Sequence, residues 1–192
     1  MSESPNQDPS AIDAFPGMVL AAVPILRDPN FYRSVVLICD HNEEGTFGLV
    51  LNRETDMEPD QVLEELGKPG DTIRIGGPVQ SNTLHYLHEL GTQIKESIPL
   101  VEGLWWGGDF DSLKGEMALR TSEGAIRYFL GYSGWGEGQL ASEIVEGSWA
   151  VARMRPEWLF RTDSADLWRE VMLSLGGDWA LMANYPDDPR LN

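Results

Sequence analysis

From Ala125 to Leu130 the chain alternates, with Ile126, Tyr128 and Leu130 on one face, and this pattern predicts a strand. Gly131, Gly134, Gly136 and Gly138 follow closely and read as a loop that breaks the strand. Leu140, Ile144 and Val145 then recur at helical spacing, and Gly147 is placed to stop the helix. Trp149 to Arg153 returns to a strand pattern. The unit reads as strand, glycine loop, short helix, strand. A right-handed crossover joining parallel strands 125–131 and 149–153 is the expected outcome.

Upstream, Gly17 to Val23 is a short apolar run ended by Pro24, and predicts a buried strand. Arg27 to Arg33 contains Asp28-Pro29, a turn former. Ser34–His41 and Thr46–Arg53 are apolar runs separated by Asn42-Glu43-Glu44-Gly45, which predicts a β-hairpin. Pro59 to Leu66 predicts a short helix stopped by Gly67, and strands are expected at Asp71–Ile75 and Leu84–Leu90. Ile98 to Trp106 reads as one extended stretch, interrupted by Pro99 and Gly103. Phe110 to Leu119 follows as a helix, with Asp109 or Asp111 as its cap. The clearest helix runs from Asp163 to Leu175: Leu167, Trp168, Val171, Met172 and Leu175 form its apolar stripe and Gly176 ends it. A last helical turn is expected between Trp179 and Tyr185.

Hairpins early and a crossover late predict an α/β fold of mixed α+β character. Residues 1–14 read as a flexible polar leader, 15–185 as a single domain and 186–192 as a polar tail. The 192 residues are 42% apolar and 23% charged, enough for a sizeable core. The formal charge of -17 repels phosphate backbones and anionic lipid, so direct nucleic-acid binding is not expected. A lone cysteine, Cys39, allows no intrachain disulfide and fits a reducing compartment. The leader lacks the basic and apolar regions of a secretory signal, and no apolar run reaches membrane-spanning length. A cytoplasmic location is the expectation.

Four stretches, in order and in register, resemble the AlgH/YqgE family of bacterial proteins. They are Pro24 with Asp28-Pro-Asn-Phe31 and Ser34-Val-Val; Asp40-His-Asn-Glu-Glu-Gly45 with Gly48-Leu-Val-Leu-Asn-Arg53; Gly76-Gly-Pro-Val79 with Leu87-His88; and Gly131-Tyr132, Gly134-Trp135-Gly136 and Gly138-Gln-Leu140. The resemblance covers roughly residues 17 to 176. It implies a single domain with a complex, partly barrel-like mixed sheet flanked by helices, and it implies no defined activity. One member of that family is named as a transcriptional regulator of alginate production. Glu54 stands where proline is common after the Asn-Arg pair, and Ser133 stands where alanine is common.

Several groups of residues carry candidate chemistry. The glycines of 131–138 precede a helix, as in phosphate-binding loops, but no Lys or Arg lies among them. Gly131-Tyr-Ser-Gly-Trp135 resembles a nucleophile elbow with Trp135 where glycine is required. A Ser133 nucleophile also needs a histidine base, and His41, His85 and His88 are the candidates. Cys39 and His41 would share a strand face as two metal ligands, whereas His85 and His88 would point to opposite faces. His41 with Asn42, and Asn52 with Arg53, mark the two ends of the predicted hairpin. They could rim a pocket with Arg53 as an anion anchor, or simply bond local backbone. Trp105, Trp106, Trp135 and Trp149 would be an aromatic platform, core packing or a homodimer surface.

No complete catalytic, cofactor or metal constellation emerges. The expectation is a non-enzymatic regulatory or binding module that acts through a protein partner, with a homo-oligomer as a further state. The alternative is a small-molecule-binding protein or hydrolase-type enzyme using His41, Arg53 and the 131–139 region. The candidate ligand or partner surface is His41, Asn42, Asn52, Arg53, His88, Ser133, Trp135 and Gln139.

Overall fold

The computed structural model describes residues 14–24, 26, 28–62, 72–118 and 124–185. Residues 1–13 of the predicted leader, the predicted tail, and residues 63–66 of the helix predicted from Pro59 lie outside them. In chain order the elements begin with β1 (Met18–Ala22), β2 (Val35–Asn42), β3 (Gly45–Val50), α1 (Pro59–Val62), β4 (Ile73–Ile75) and β5 (Val79–His88). They continue with β6 (Ile98–Val101), β7 (Leu104–Trp106), α2 (Phe110–Ala118), β8 (Ile126–Gly136), α3 (Gln139–Val145), β9 (Trp149–Arg153), α4 (Pro156–Phe160), α5 (Ser164–Leu175) and α6 (Gly177–Met182).

The strands form one mixed sheet in the order β6-β7-β5-β8-β3-β2-β1-β9, and β4 pairs in parallel with β8. The sheet curls so that its two ends approach. A Cβ added to Gly17, at the start of β1, would lie 2.7 Å from Val101 Cγ1 and 2.9 Å from the Leu100 carbonyl of β6. The result is a half-barrel with helices packed against it.

Both faces of the central strands are covered, so β1 reads as an unbroken apolar run rather than an alternating one. Val19, Ala21, Val35, Leu37, Leu49 and Ala150 meet Trp158, Leu167, Trp168, Val171 and Met172 of α4 and α5. On the other face Met18, Leu20, Val36, Ile38 and Val50 meet Leu140 and Ile144 of α3, with Trp135 and Trp149. Each fully buried Leu, Ile or Val contributes roughly 1.5–3 kcal/mol through removal from water. Asp163 caps α5 by accepting from the Ala165 amide at 2.9 Å, and the Trp168 indole donates to the Ala22 carbonyl at 2.8 Å. Cap and pin fix the helix stripe against β1.

The expected hairpin is present, with His41 opposite Thr46 and Val36 opposite Val50, although β3 ends at Val50 rather than Arg53. Asp109 is the cap of α2, accepting from the Ser112 amide at 2.8 Å.

Three expectations need correction. The glycines after Leu130 do not break the strand: β8 runs from Ile126 through Gly136, and only residues 137–138 turn. Gly131 has φ +67, and a Cβ there would lie 2.8 Å from the carbonyl oxygens of both Gly77 and Val79. The glycine therefore bends the strand where the β4–β5 connection crosses it. The parallel crossover is also absent, because β9 pairs antiparallel with β1 at the far end of the sheet from β8. Both flanking strands are apolar, and nothing in such a local pattern says which strand is the neighbour. The stretch 98–106 is not one extended segment but a hairpin, β6–β7, turning at Glu102-Gly103. Pro156, just past the end of β9, opens the short helix α4.

Candidate functional site

The β2–β3 hairpin and β8 place the candidate residues at separate positions. At the hairpin tip, Asn42 pairs with Gly45, which pairs in turn with Gly136 of β8; His41 pairs with Thr46, which pairs with Trp135. His41 is exposed and shares a 2.8 Å hydrogen bond between Nδ1 and the Thr46 hydroxyl. Asn42 accepts from the Glu44 amide at 2.8 Å, closing the turn. Gln139, at the first position of α3, accepts from the Gly136 amide at 3.1 Å and donates to Glu143 Oε1 at 2.9 Å.

Beneath this tip, Glu143 Oε2 accepts two indole N–H groups, from Trp135 at 2.9 Å and from Trp149 at 2.8 Å. Phe31 stacks on Trp135 at 6.1 Å and meets Trp149 edge-on at 5.5 Å. Trp135 and Trp149 are buried. A half-buried carboxylate thus ties α3 to strands β8 and β9. Neither Glu143 nor Phe31 was among the sequence candidates. The available signal was an acidic residue on the short helix between the two tryptophans.

Asn52 and Arg53 lie at the opposite end of the hairpin. Asn52 accepts from the Val35 amide and donates to the Arg33 carbonyl, both at 2.9 Å. Arg53 donates to the Tyr32 carbonyl at 3.0 Å. Thr46 and Arg53 lie seven positions apart, and β3 alone carries the chain about 13 Å from Thr46 to Val50. His41, Asn42, Trp135 and Gln139 therefore cluster, while Asn52 and Arg53 do not join them.

Ser133 is buried in mid-strand, and its hydroxyl donates to the Gly76 carbonyl at 3.1 Å. The three histidines bond elsewhere: His41 to Thr46, His85 to Thr83, and His88 to the Gly107 carbonyl at 3.1 Å. His88 is buried and stacked on Trp105, and its Nδ1 accepts from the Leu90 amide at 3.3 Å. Burial holds its pKa below the ordinary histidine value, against the opposing pull of the Gly107 carbonyl. His85, packed against Phe47 and Tyr132, is likewise lowered by burial.

The metal reading of Cys39 and His41 needs one geometric correction. The register shifts between Ile38 and Asp40, so Cys39 is the extra residue of a bulge. Cys39 points into the core with Leu37, while His41 sits with Thr46 and Trp135 on the other side. Burial and the neighbouring Asp40 charge push the thiol pKa well up. Among the described residues, no three His, Cys, Asp or Glu side chains gather as a metal set. No helix among them is long and apolar enough to cross a membrane.

A curled mixed sheet, helices packed on it, and a polar hairpin tip over a carboxylate-tied tryptophan pair define an α+β half-barrel protein. The chain belongs to the AlgH-like family, DUF179, whose family model matches residues 19–180. A UPF0301 protein of Cytophaga hutchinsonii is 42% identical over 178 residues, covering 92% of this chain and 98% of its own. The UPF0301 protein CT0663 of Chlorobaculum tepidum is 38% identical over 180 residues, covering 92% of this chain and 95% of its own. Among solved structures, DIP2367 from Corynebacterium diphtheriae superposes with a TM-score of 0.79 at 28% identity, over 91% of this chain and 94% of that one. The AlgH protein from Pseudomonas aeruginosa matches with a TM-score of 0.70 at 28% identity, over 98% of this chain and all of that one.

Proposed function

We propose that the protein is a cytoplasmic, non-enzymatic binding module that acts through a protein partner. The observation that carries this reading is the dispersal of its chemistry. Ser133, His88 and the adjacent Asn52 and Arg53 serve local structural bonds at three separate places. Covalent catalysis by serine needs a base within hydrogen-bond reach of the hydroxyl, and Ser133 is bonded to a backbone carbonyl. Large apolar side chains stand exposed on the surface instead, including Tyr32 (41%), Leu181 (66%) and Tyr185 (54%). A formal charge of -17 disfavours direct contact with nucleic acid, so any role in transcription runs through the partner.

The test is affinity capture from native lysate combined with a thermal-shift screen of metabolites. The reading expects reproducible, stoichiometric capture of a protein and no metabolite whose shift depends on His41 or Arg53. A metabolite shift that disappears in His41→Ala and Arg53→Ala, with no protein captured, overturns it.

A further inference from the structure

We infer that the outer edge of β9 takes an extended, acidic segment of a protein partner as an added strand. This rests on the partner-binding reading above and gives it a surface and a chemistry.

Among the described strands, β9 pairs with β1 alone. The amide of Met154 donates to Gly17 and the carbonyl of Ser148 accepts from Val23, so even-numbered residues of β9 face β1. Antiparallel alternation then turns the N–H and C=O of Val151 and Arg153 to the outer side. Within this edge Val151 and Ala152 carry neither charge nor proline, and Arg153 is the charged residue of the strand; the strand at the other end, β6, carries Pro99.

Beside this edge runs a groove of about 420 Å³, where the two ends of the curled sheet approach. Leu100, Val101, Met154 and Pro156 give it an apolar floor. Two arginines stand at the C-terminal end of this edge, Arg153 closing β9 and Arg155 two residues on. Arg153 lies over the Phe15 ring at 5.8 Å and Arg155 over the Trp158 ring at 5.2 Å. Both residues are exposed, and neither has an ion-pair partner among the described residues. Glu102, across the groove on the β6 side, is the acidic side chain of the lining. On a chain with more than twice as many acidic as basic residues, two arginines without an ion-pair partner among the described residues, beside an edge unpaired among the described strands, select a carboxylate-bearing strand.

The experiment uses the full chain, 15N-labelled, and two acetylated hexapeptides: alternating valine and glutamate, and alternating valine and lysine. The glutamate peptide is expected to shift the amides of Val151 and Arg153, and the lysine peptide to leave them unmoved. The double variant Arg153→Glu, Arg155→Glu should weaken the glutamate peptide at least tenfold and admit the lysine peptide. Val151→Pro removes an outward amide without touching a bond to β1, and should abolish the effect while the remaining spectrum is retained. Equal binding of both peptides, or shifts confined to another surface, overturns the inference. So do shifts at these amides that track protein concentration alone, or that follow deletion of residues 1–13. Lysate capture that survives the double variant sinks this surface but leaves the partner reading standing; failed capture by the unaltered chain sinks the reading itself.

Discussion

The indole N–H of Trp149 donates to Oε2 of Glu143 at 2.8 Å, and the same oxygen accepts the indole of Trp135 at 2.9 Å. One carboxylate therefore satisfies two buried donors on two strands that are not neighbours in the sheet. Removing it strands both. Glu143→Ala should destabilise the fold by about 2–6 kcal/mol, since each of the two buried unpaired donors costs about 1–3 kcal/mol. Glu143→Gln keeps an acceptor oxygen and should cost less than about half of that. Urea unfolding of the two variants checks the order; equal losses would mean that packing rather than hydrogen bonding dominates.

Gly131 tests the bend in β8. At φ +67, with two carbonyl oxygens 2.8 Å from a would-be Cβ, alanine meets both backbone strain and collision. Gly131→Ala should cost at least about 2 kcal/mol. Gly138 also has positive φ but has nothing within 4 Å of its Cβ, so Gly138→Ala should cost only the strain, about 1 kcal/mol. Denaturant midpoints of the pair measure the difference.

His88 sets a pH dependence. Its Nε2 donates to a carbonyl and its Nδ1 accepts an amide, so the neutral ring is the form the fold holds. Protonation would aim a second donor at the Leu90 amide. With the folded pKa below the unfolded value, the unfolded chain binds the extra proton. Stability is then fully present above the unfolded pKa near 6.5 and falls as pH drops below it. Thermal midpoints should decline between pH 7.5 and 5. His88→Gln should reduce that slope without abolishing it, because burial lowers His85 in the same direction. A midpoint independent of pH across that range would contradict the account.

Ser133 separates a structural hydroxyl from a nucleophile. Gly76 also accepts the Val50 amide at 2.8 Å, so its carbonyl stays satisfied without the serine. Ser133→Ala should change stability by no more than about 1 kcal/mol. A fluorophosphonate probe should leave the unaltered protein unlabelled; stoichiometric labelling at Ser133 would restore the hydrolase reading.

Local pattern carried the elements well where one face or one stripe was distinct. Leu167, Trp168, Val171 and Met172 announce α5, and Asp163 and Gly176 bound it. The 42–45 turn announces the hairpin for the same reason. Pairing over distance was not legible. Trp149–Arg153 looks the same whether it joins β8 or β1, and only the global packing of α3 and α5 against the sheet decides. Gly131 misled because a glycine that admits a crossing backbone resembles one that ends a strand. At the candidate site, the bulge at Cys39 was invisible, since one extra residue leaves the apolar run unchanged yet sends His41 to the other face. Glu143 was overlooked because its importance comes from two tryptophans that meet only in the folded chain.

The most direct measurement of the central proposal is native mass spectrometry of the protein gently purified from its own cells. A non-enzymatic module acting through a partner predicts a complex exceeding the 21.4 kDa chain by the mass of a different protein, in fixed ratio. A bare chain, or one carrying only a small-molecule adduct, would contradict it.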